Sequence, residues 1–216
     1  MLLRPAGSPC AAGRPALGLL FGLVLPAAVI LSACAPNTEQ ARPYPARIQA
    51  LRVEKDEFLR RAPDSPVPAD KREQFLPLAY FAIDPGYVAS AQLAPSPREP
   101  GIEMPTSTGQ RRRMRRAGSL QFSMKGHPHA LTAFVEADAP DMNRLFVPFG
   151  DLTNGTETYA AGRYIDLVRT PTGLYEVDFN RAYQPYCYYN PTYDCPYPPA
   201  ENRLGVPVRA GERMRP

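Results

Sequence analysis

The chain has 216 residues, 44% of them hydrophobic, which suits one domain with a real core or two small ones. Its 27 prolines argue against long regular helices over most of its length. The formal net charge of +4 is too modest to point to nucleic acid, and no nucleic-acid partner is expected.

The first 33 residues read as an export signal. Arg4 and Arg14 supply a positive start, 16–31 (ALGLLFGLVLPAAVIL) is an apolar run, and small residues follow. Leu31-Ser32-Ala33-Cys34 resembles the bacterial lipobox. That resemblance implies a Cys34 thioether carrying diacylglycerol, with fatty acyl groups such as palmitate on the new amino terminus. Each buried methylene stabilises such an anchor by about 0.8 kcal/mol, so two or three chains hold a protein on a bilayer. The competing reading is an uncleaved spanning helix over 16–35, which has about the 20 residues required. Pro26 in its middle argues against it. The expected partner is therefore membrane lipid through Cys34. The expected location is the bacterial cell envelope, on the periplasmic face of the outer membrane where two membranes exist, because Ala35 is not an aspartate. Residues 34–46 are the lipidated cysteine and a polar, proline-bearing tether, leaving 47–216 as one domain.

Within that domain, Ile48, Leu51, Phe58 and Leu59 recur at helical spacing over 46–61, predicting an amphipathic helix docked by that stripe. A short helix is expected over 69–75. β signals then follow at 78–84, 87–93, 102–107, 110–124, 129–137, 145–149, 164–170, 174–180 and 203–210. Turn tripeptides separate several of them, such as Asp84-Pro85-Gly86 and Pro171-Thr172-Gly173. Leu120, Phe122 and Met124 alternate with polar residues, as in a half-buried strand. The predicted fold is mainly β: a β-sandwich or partly open barrel of antiparallel hairpins with an N-terminal amphipathic helix.

The run RRRMRR at 111–116 is read as arginines guarding a sheet edge, with an anionic lipid surface as the alternative. His127 and His129, in GHPHA, read as turn residues; no metal ligand set is assigned to them and no cofactor is expected. The segment FGDLTNGTETYAAGRY (149–164) crowds polar side chains between two β signals, where a rigid scaffold can aim them. Arg163 opens a strand, and Asp166 or Asp178 could hold it as an ion pair that also serves as an anion site. With Cys10 in the signal and Cys34 lipidated, Cys187 and Cys195 remain. In an exported chain they point first to a disulfide. A metal site completed by His127, His129 or Asp151, and a reactive thiol, stay open as alternatives.

FGDLTNGTETYAAGRY, DFNRAYQPYCYYNPTYDCPYPPAENRL (178–204) and the closing VRAGER together resemble a bacterial and archaeal family, number 1684 among domains of unknown function. Gln184 and Tyr186 stand where that family's pattern has asparagine and proline. The resemblance implies no established activity. The residues themselves point to a ligand-binding or envelope-associated module for a small molecule or envelope component. Its candidate contacts are Asp151, Thr153, Glu157, Arg163, Tyr164, Asp178, Asn180 and Asn190, with Tyr188 or Tyr189 for stacking. The alternative is a hydrolytic or metal-dependent enzyme using Asp151, Glu157 and Asp178, or the cysteine pair. Converging carboxylates in a pocket would favour the enzyme.

Overall fold

The computed structural model describes residues 42–96 and 101–215. The expected signal peptide, Cys34 and most of the tether lie outside the described residues. Helix α1 is Tyr44–Arg61, so helix begins inside the stretch expected to be tether, with Pro45 in its first turn, where the missing N–H is not needed. The short α2, Arg72–Phe75, falls where a short helix was expected.

Nine strands follow: β1 Ala79–Tyr80, β2 Val88–Pro95, β3 Ile102–Pro105, β4 Arg111–Met124, β5 His127–Glu136, β6 Arg144–Phe149, β7 Arg163–Val168, β8 Tyr175–Asp178 and β9 Glu212–Arg213. Seven of them form one antiparallel sheet in the order β7-β6-β5-β4-β2-β8, with β3 also on β4. A bridge from Arg169 to Tyr175 joins β7 to β8, so the sheet curls into a nearly closed barrel. The fold is the mainly β one predicted. The small second sheet pairs β1 with β9 and brings the C-terminus beside α1.

Period-two alternation sorts the strand residues. Leu120, Phe122 and Met124, Leu131 and Ala133, Leu145, Val147 and Phe149, and Ile165 and Leu167 fill the barrel. Between β5 and β6 only Phe134 and Phe146 pair. The Asn202 side chain repairs part of that split: Oδ1 accepts from Thr132 N–H at 2.7 Å, and Nδ2 donates to the carbonyls of Thr132 (2.8 Å) and Pro148 (2.7 Å). Gly118 sits at the register shift in β4, and a Cβ there would lie 2.2 Å from the Ala94 carbonyl oxygen, so only glycine lets β2 approach.

Three local expectations are corrected. The arginine run does not line one sheet edge: in the register Arg111–Arg113 pair with β3, Arg115 and Arg116 with β5, and Met114 with both. The tight turn before β5 is Lys125-Gly126, both with positive φ, so His127 and His129 are strand residues. Residues 203–210 form no regular strand. Val208 and Ala210 are buried against the barrel core, and their carbonyls are bonded by a side chain instead of a neighbouring strand.

Candidate functional site

That side chain is Arg163. It shares the inward face of β7 with Ile165, and its side chain is 0% exposed. Nη2 donates to Asp151 Oδ2 at 2.9 Å and to the Val208 carbonyl at 2.6 Å; Nη1 donates to the carbonyls of Ala210 (2.5 Å) and Glu212 (3.1 Å). Asp151 Oδ1 accepts from the Thr153 N–H and hydroxyl and from Val208 N–H. Burial lowers the guanidinium pKa, and Asp151 opposes that shift. Asp166, three residues along β7, faces the other way, so the partner carboxylate is Asp151 and neither of the two expected.

A second polar cluster lies between α1 and the body. Asp178 is 2% exposed, and its Oδ1 accepts from Tyr44 Oη (2.9 Å), Asn180 N–H (2.9 Å) and Asn180 Nδ2 (3.1 Å). Its Oδ2 is buried with no partner among the described residues. Asn180 also ties Asp84, accepting from its N–H and donating to its carbonyl, both at 2.9 Å. From α1, Arg52 Nη1 donates to the Phe81 carbonyl, while Arg52 Nε and Nη2 have no partner among the described residues. The guanidinium lies 4.4 Å from the centre of the Tyr80 ring, and the Tyr80 hydroxyl and Arg47 Nε are likewise buried without partners. Burial lowers the Arg52 pKa, whereas Tyr80, Tyr44, Glu212 and Asp178 act in the opposite sense. Burial and the Asp178 charge raise the Tyr44 pKa.

Glu212 is the third cluster. Gly211, at φ +76, lets the chain pass where a Cβ would lie 2.4 Å from the Ala182 carbonyl oxygen, and the turn delivers Glu212 inward at 2% exposure. Its Oε1 accepts from Lys55 Nζ at 2.5 Å; Oε2 accepts from Gln184 N–H and Tyr189 Oη, both at 2.8 Å. A depression lined by Phe75, Gln184, Tyr188, Tyr189, Glu212 and Arg213 opens beside it, with room for a water-sized molecule, about 10 Å³.

The tyrosine- and cysteine-rich segment covers the outer face of β6 and β7, rather than a barrel end. Tyr164 Oη donates to the Pro196 carbonyl at 2.6 Å, and its ring meets Phe146 and Tyr183 edge-on. Cys187, in the short helix α3 (Tyr186–Tyr189), and Cys195 pack against Tyr164 as free, buried thiols. The expected disulfide is thus not formed. Cys195 Sγ instead accepts from Cys187 N–H at 3.2 Å. The loop is already held to the β3–β4 hairpin: Cys195 N–H donates to Ser107 Oγ (3.0 Å), Ser107 N–H to the Cys195 carbonyl (2.9 Å), and Arg112 to the Asp194 carbonyl (2.9 Å). Hydrogen bonding by the Cys195 thiol, and then by Tyr159, lowers the Cys187 pKa to about 6 against the effect of burial. The hydrogen bond to Cys187, together with burial, raises that of Cys195. The Tyr159 phenol is pushed up to about 12 by burial and by Cys187.

A family model described as "Protein of unknown function (DUF1684)" matches residues 73–213. The chain belongs to this family. A solution NMR structure of an uncharacterized protein from Haloarcula marismortui is 37% identical, with a TM-score of 0.62, covering 78% of this chain and 92% of that one. No curated protein matches the chain. The family match begins after α1, so the helix whose Tyr44 and Lys55 reach the buried Asp178 and Glu212 carboxylates lies outside the matched DUF1684 region.

The expected site residues divide among these places. Asp151, Thr153 and Arg163 meet in one enclosed network. Glu157 is apart, gripped by Arg209 Nε at 2.9 and 3.0 Å through its two oxygens. Tyr164 belongs to the outer cap, and Asp178 and Asn180 to the α1 seam. Asn190 closes a local turn by accepting from Thr192 N–H and hydroxyl. The three carboxylates suggested for catalysis therefore have three different sets of partners. Among the described residues, no three His, Cys, Asp or Glu side chains converge as a metal ion requires. Sequence reasoning missed Glu212, Lys55, Arg52, Tyr80 and Tyr44. Glu212 was visible only as the glutamate after the glycine of VRAGER, and Tyr44 sat in the presumed tether.

Proposed function

We propose that this DUF1684 protein is an envelope lipoprotein anchored through Cys34, whose β domain binds a small polar ligand at the seam between α1 and the barrel. The observation that carries this reading is the set of unpartnered buried atoms on both sides of the seam. Arg47 Nε, Arg52 Nε and Nη2 and the Tyr80 hydroxyl offer hydrogens, and Asp178 Oδ2 accepts one. Buried polar groups cost roughly 1–3 kcal/mol each when unsatisfied, so they mark a place where a molecule that both donates and accepts hydrogen bonds gains most. Envelope saccharides and amino acids have that character. Binding is favoured over hydrolysis because Asp151, Glu157 and Asp178 do not face one another across a pocket. The anchor reading is supported by the order of basic, apolar and small residues before Cys34.

The test is a thermal-shift screen of the chain from residue 35, using panels of monosaccharides, muropeptide fragments and amino acids. A ligand that raises Tm in the native protein, and loses that effect in Arg52→Met and Asp178→Asn proteins that still fold, is the expected result. If no panel member shifts the native protein, or the shifts survive both substitutions, the seam is not the binding site. Radiolabelled palmitate incorporated by the native chain and not by Cys34→Ser checks the anchor separately.

A further inference from the structure

We propose that Cys187 and Cys195 form a reversible dithiol–disulfide couple that exchanges with small disulfides. Three observations carry it, and none depends on the ligand seam. The two thiols are neighbours without being linked, and the loop between them is positioned by hydrogen bonds to the β3–β4 hairpin rather than by a crosslink. A native dithiol held in contact in this way can close and open a disulfide without rebuilding its surroundings. The two sulfurs are also unequal. Hydrogen bonding by Cys195 and Tyr159 favours the Cys187 thiolate, whereas Cys195 is shifted toward its protonated form. That asymmetry defines an attacking thiol and a resolving one. Finally, the rings of Tyr159, Tyr164, Tyr186 and Tyr193 pack around the pair, and the neighbouring Asp194 carboxylate is engaged by Arg112 at 3.6 Å and by the Thr108 hydroxyl at 2.5 Å.

The reaction balances as follows. The Cys187 thiolate attacks one sulfur of a disulfide R–S–S–R; the reagent's S–S bond breaks, and the departing thiolate takes a proton from solvent. Cys195 then releases its proton and attacks Cys187 Sγ, expelling the second RS⁻. The protein dithiol loses two electrons, and the reagent becomes two thiols. Both cysteines are buried, at 8% and 6% exposure, which restricts the reaction to small disulfides, with glutathione disulfide as the probe.

The experiment incubates the full chain, solubilised in detergent, in native buffer with graded ratios of reduced to oxidised glutathione. Samples are acid-quenched, and thiols are counted by mass spectrometry. The expected result is that both thiols disappear together, return when the ratio is reversed, and leave no adduct. Cys195→Ser stops at a glutathione adduct on Cys187, and Cys187→Ser reacts at least tenfold more slowly at pH 7. The iodoacetamide rate at Cys187 rises as pH passes through about 6. A disulfide that survives every reducing ratio in the native protein would make the pair a fixed staple and overturn the proposal. Two thiols that stay unreacted until the chain is unfolded would overturn it as well. Both outcomes are read on the native chain, so the proposal does not depend on either variant folding.

Discussion

Arg163 shows how one residue can organise a fold without meeting solvent. Its guanidinium fixes three carbonyls of the C-terminal segment and one carboxylate, so 208–210 is held against the barrel by side-chain rather than sheet hydrogen bonds. Breaking a buried ion pair from one side leaves an uncompensated charge and costs about 3–5 kcal/mol. Asp151→Asn is therefore expected to lower unfolding stability by that amount in urea denaturation. A loss under about 1 kcal/mol would mean that the carbonyls alone satisfy Arg163. At this scale the sequence marked the right residue for a reason that was only half right. A strand-opening arginine needs a carboxylate, and that much is visible in residue types. That the partner is Asp151, and that the pair faces inward, depends on the loop 151–158 folding back through Thr153 and Thr158. No local pattern encodes that return.

The elements were legible where a period and a turn agreed. Strands β2, β4, β5, β6 and β7 fall on their predicted segments because alternation and glycine- or proline-bearing turns both marked them. The 203–210 segment failed because its extended backbone is bonded to a side chain far away in sequence. Helix α1 was legible as a helix but not in its docking face. Ile48 and Leu59 are buried as expected, but Leu51 is 37% exposed, and Arg52 and Lys55 turn inward instead. The reason lies on the other partner, since the body presents Glu212 and Asp178 to the helix. This makes Lys55 the element's electrostatic latch. Lys55→Met strands Glu212 at 2% exposure, and the expected loss is about 2–3 kcal/mol, below the full buried-pair cost because the Lys55 side chain is 29% exposed. Amide exchange in α1 should quicken more than in β4. Adding Glu212→Gln should recover part of the loss, as a coupled pair requires. If the single variant matches the native protein in both measurements, the Lys55–Glu212 pair does not latch α1, which is then held by Ile48, Leu59 and the hydrogen bonds of Tyr44 and Arg52.

At the scale of the whole molecule, aliphatic residues and phenylalanines fill the barrel, and many of the 12 tyrosines pack outside it. They concentrate between 159 and 197 in the sequence, which does not say which surface they cover, because the outer face of β6 and β7 becomes a face only once the barrel curls. Tyr80, Tyr164, Tyr183 and Tyr189 spread this chemistry over the β1–β9 sheet, β7 and the cap. In each, burial is the first cause that raises the phenol above its ordinary value of 10. The sign follows from linkage. The folded state holds these protons more tightly than the unfolded chain, so their contribution is fully present below pH 10 and is lost as pH rises from 10 toward the folded values. Thermal unfolding midpoints should be insensitive to these groups up to about pH 10 and fall steeply above it. The phenolate absorbance of the buried set should appear together with loss of far-ultraviolet circular dichroism, as one cooperative step. A smooth titration of all 12 phenols while the β signal persists would show that the tyrosine core admits solvent, and that packing of the cap contributes little to holding the barrel.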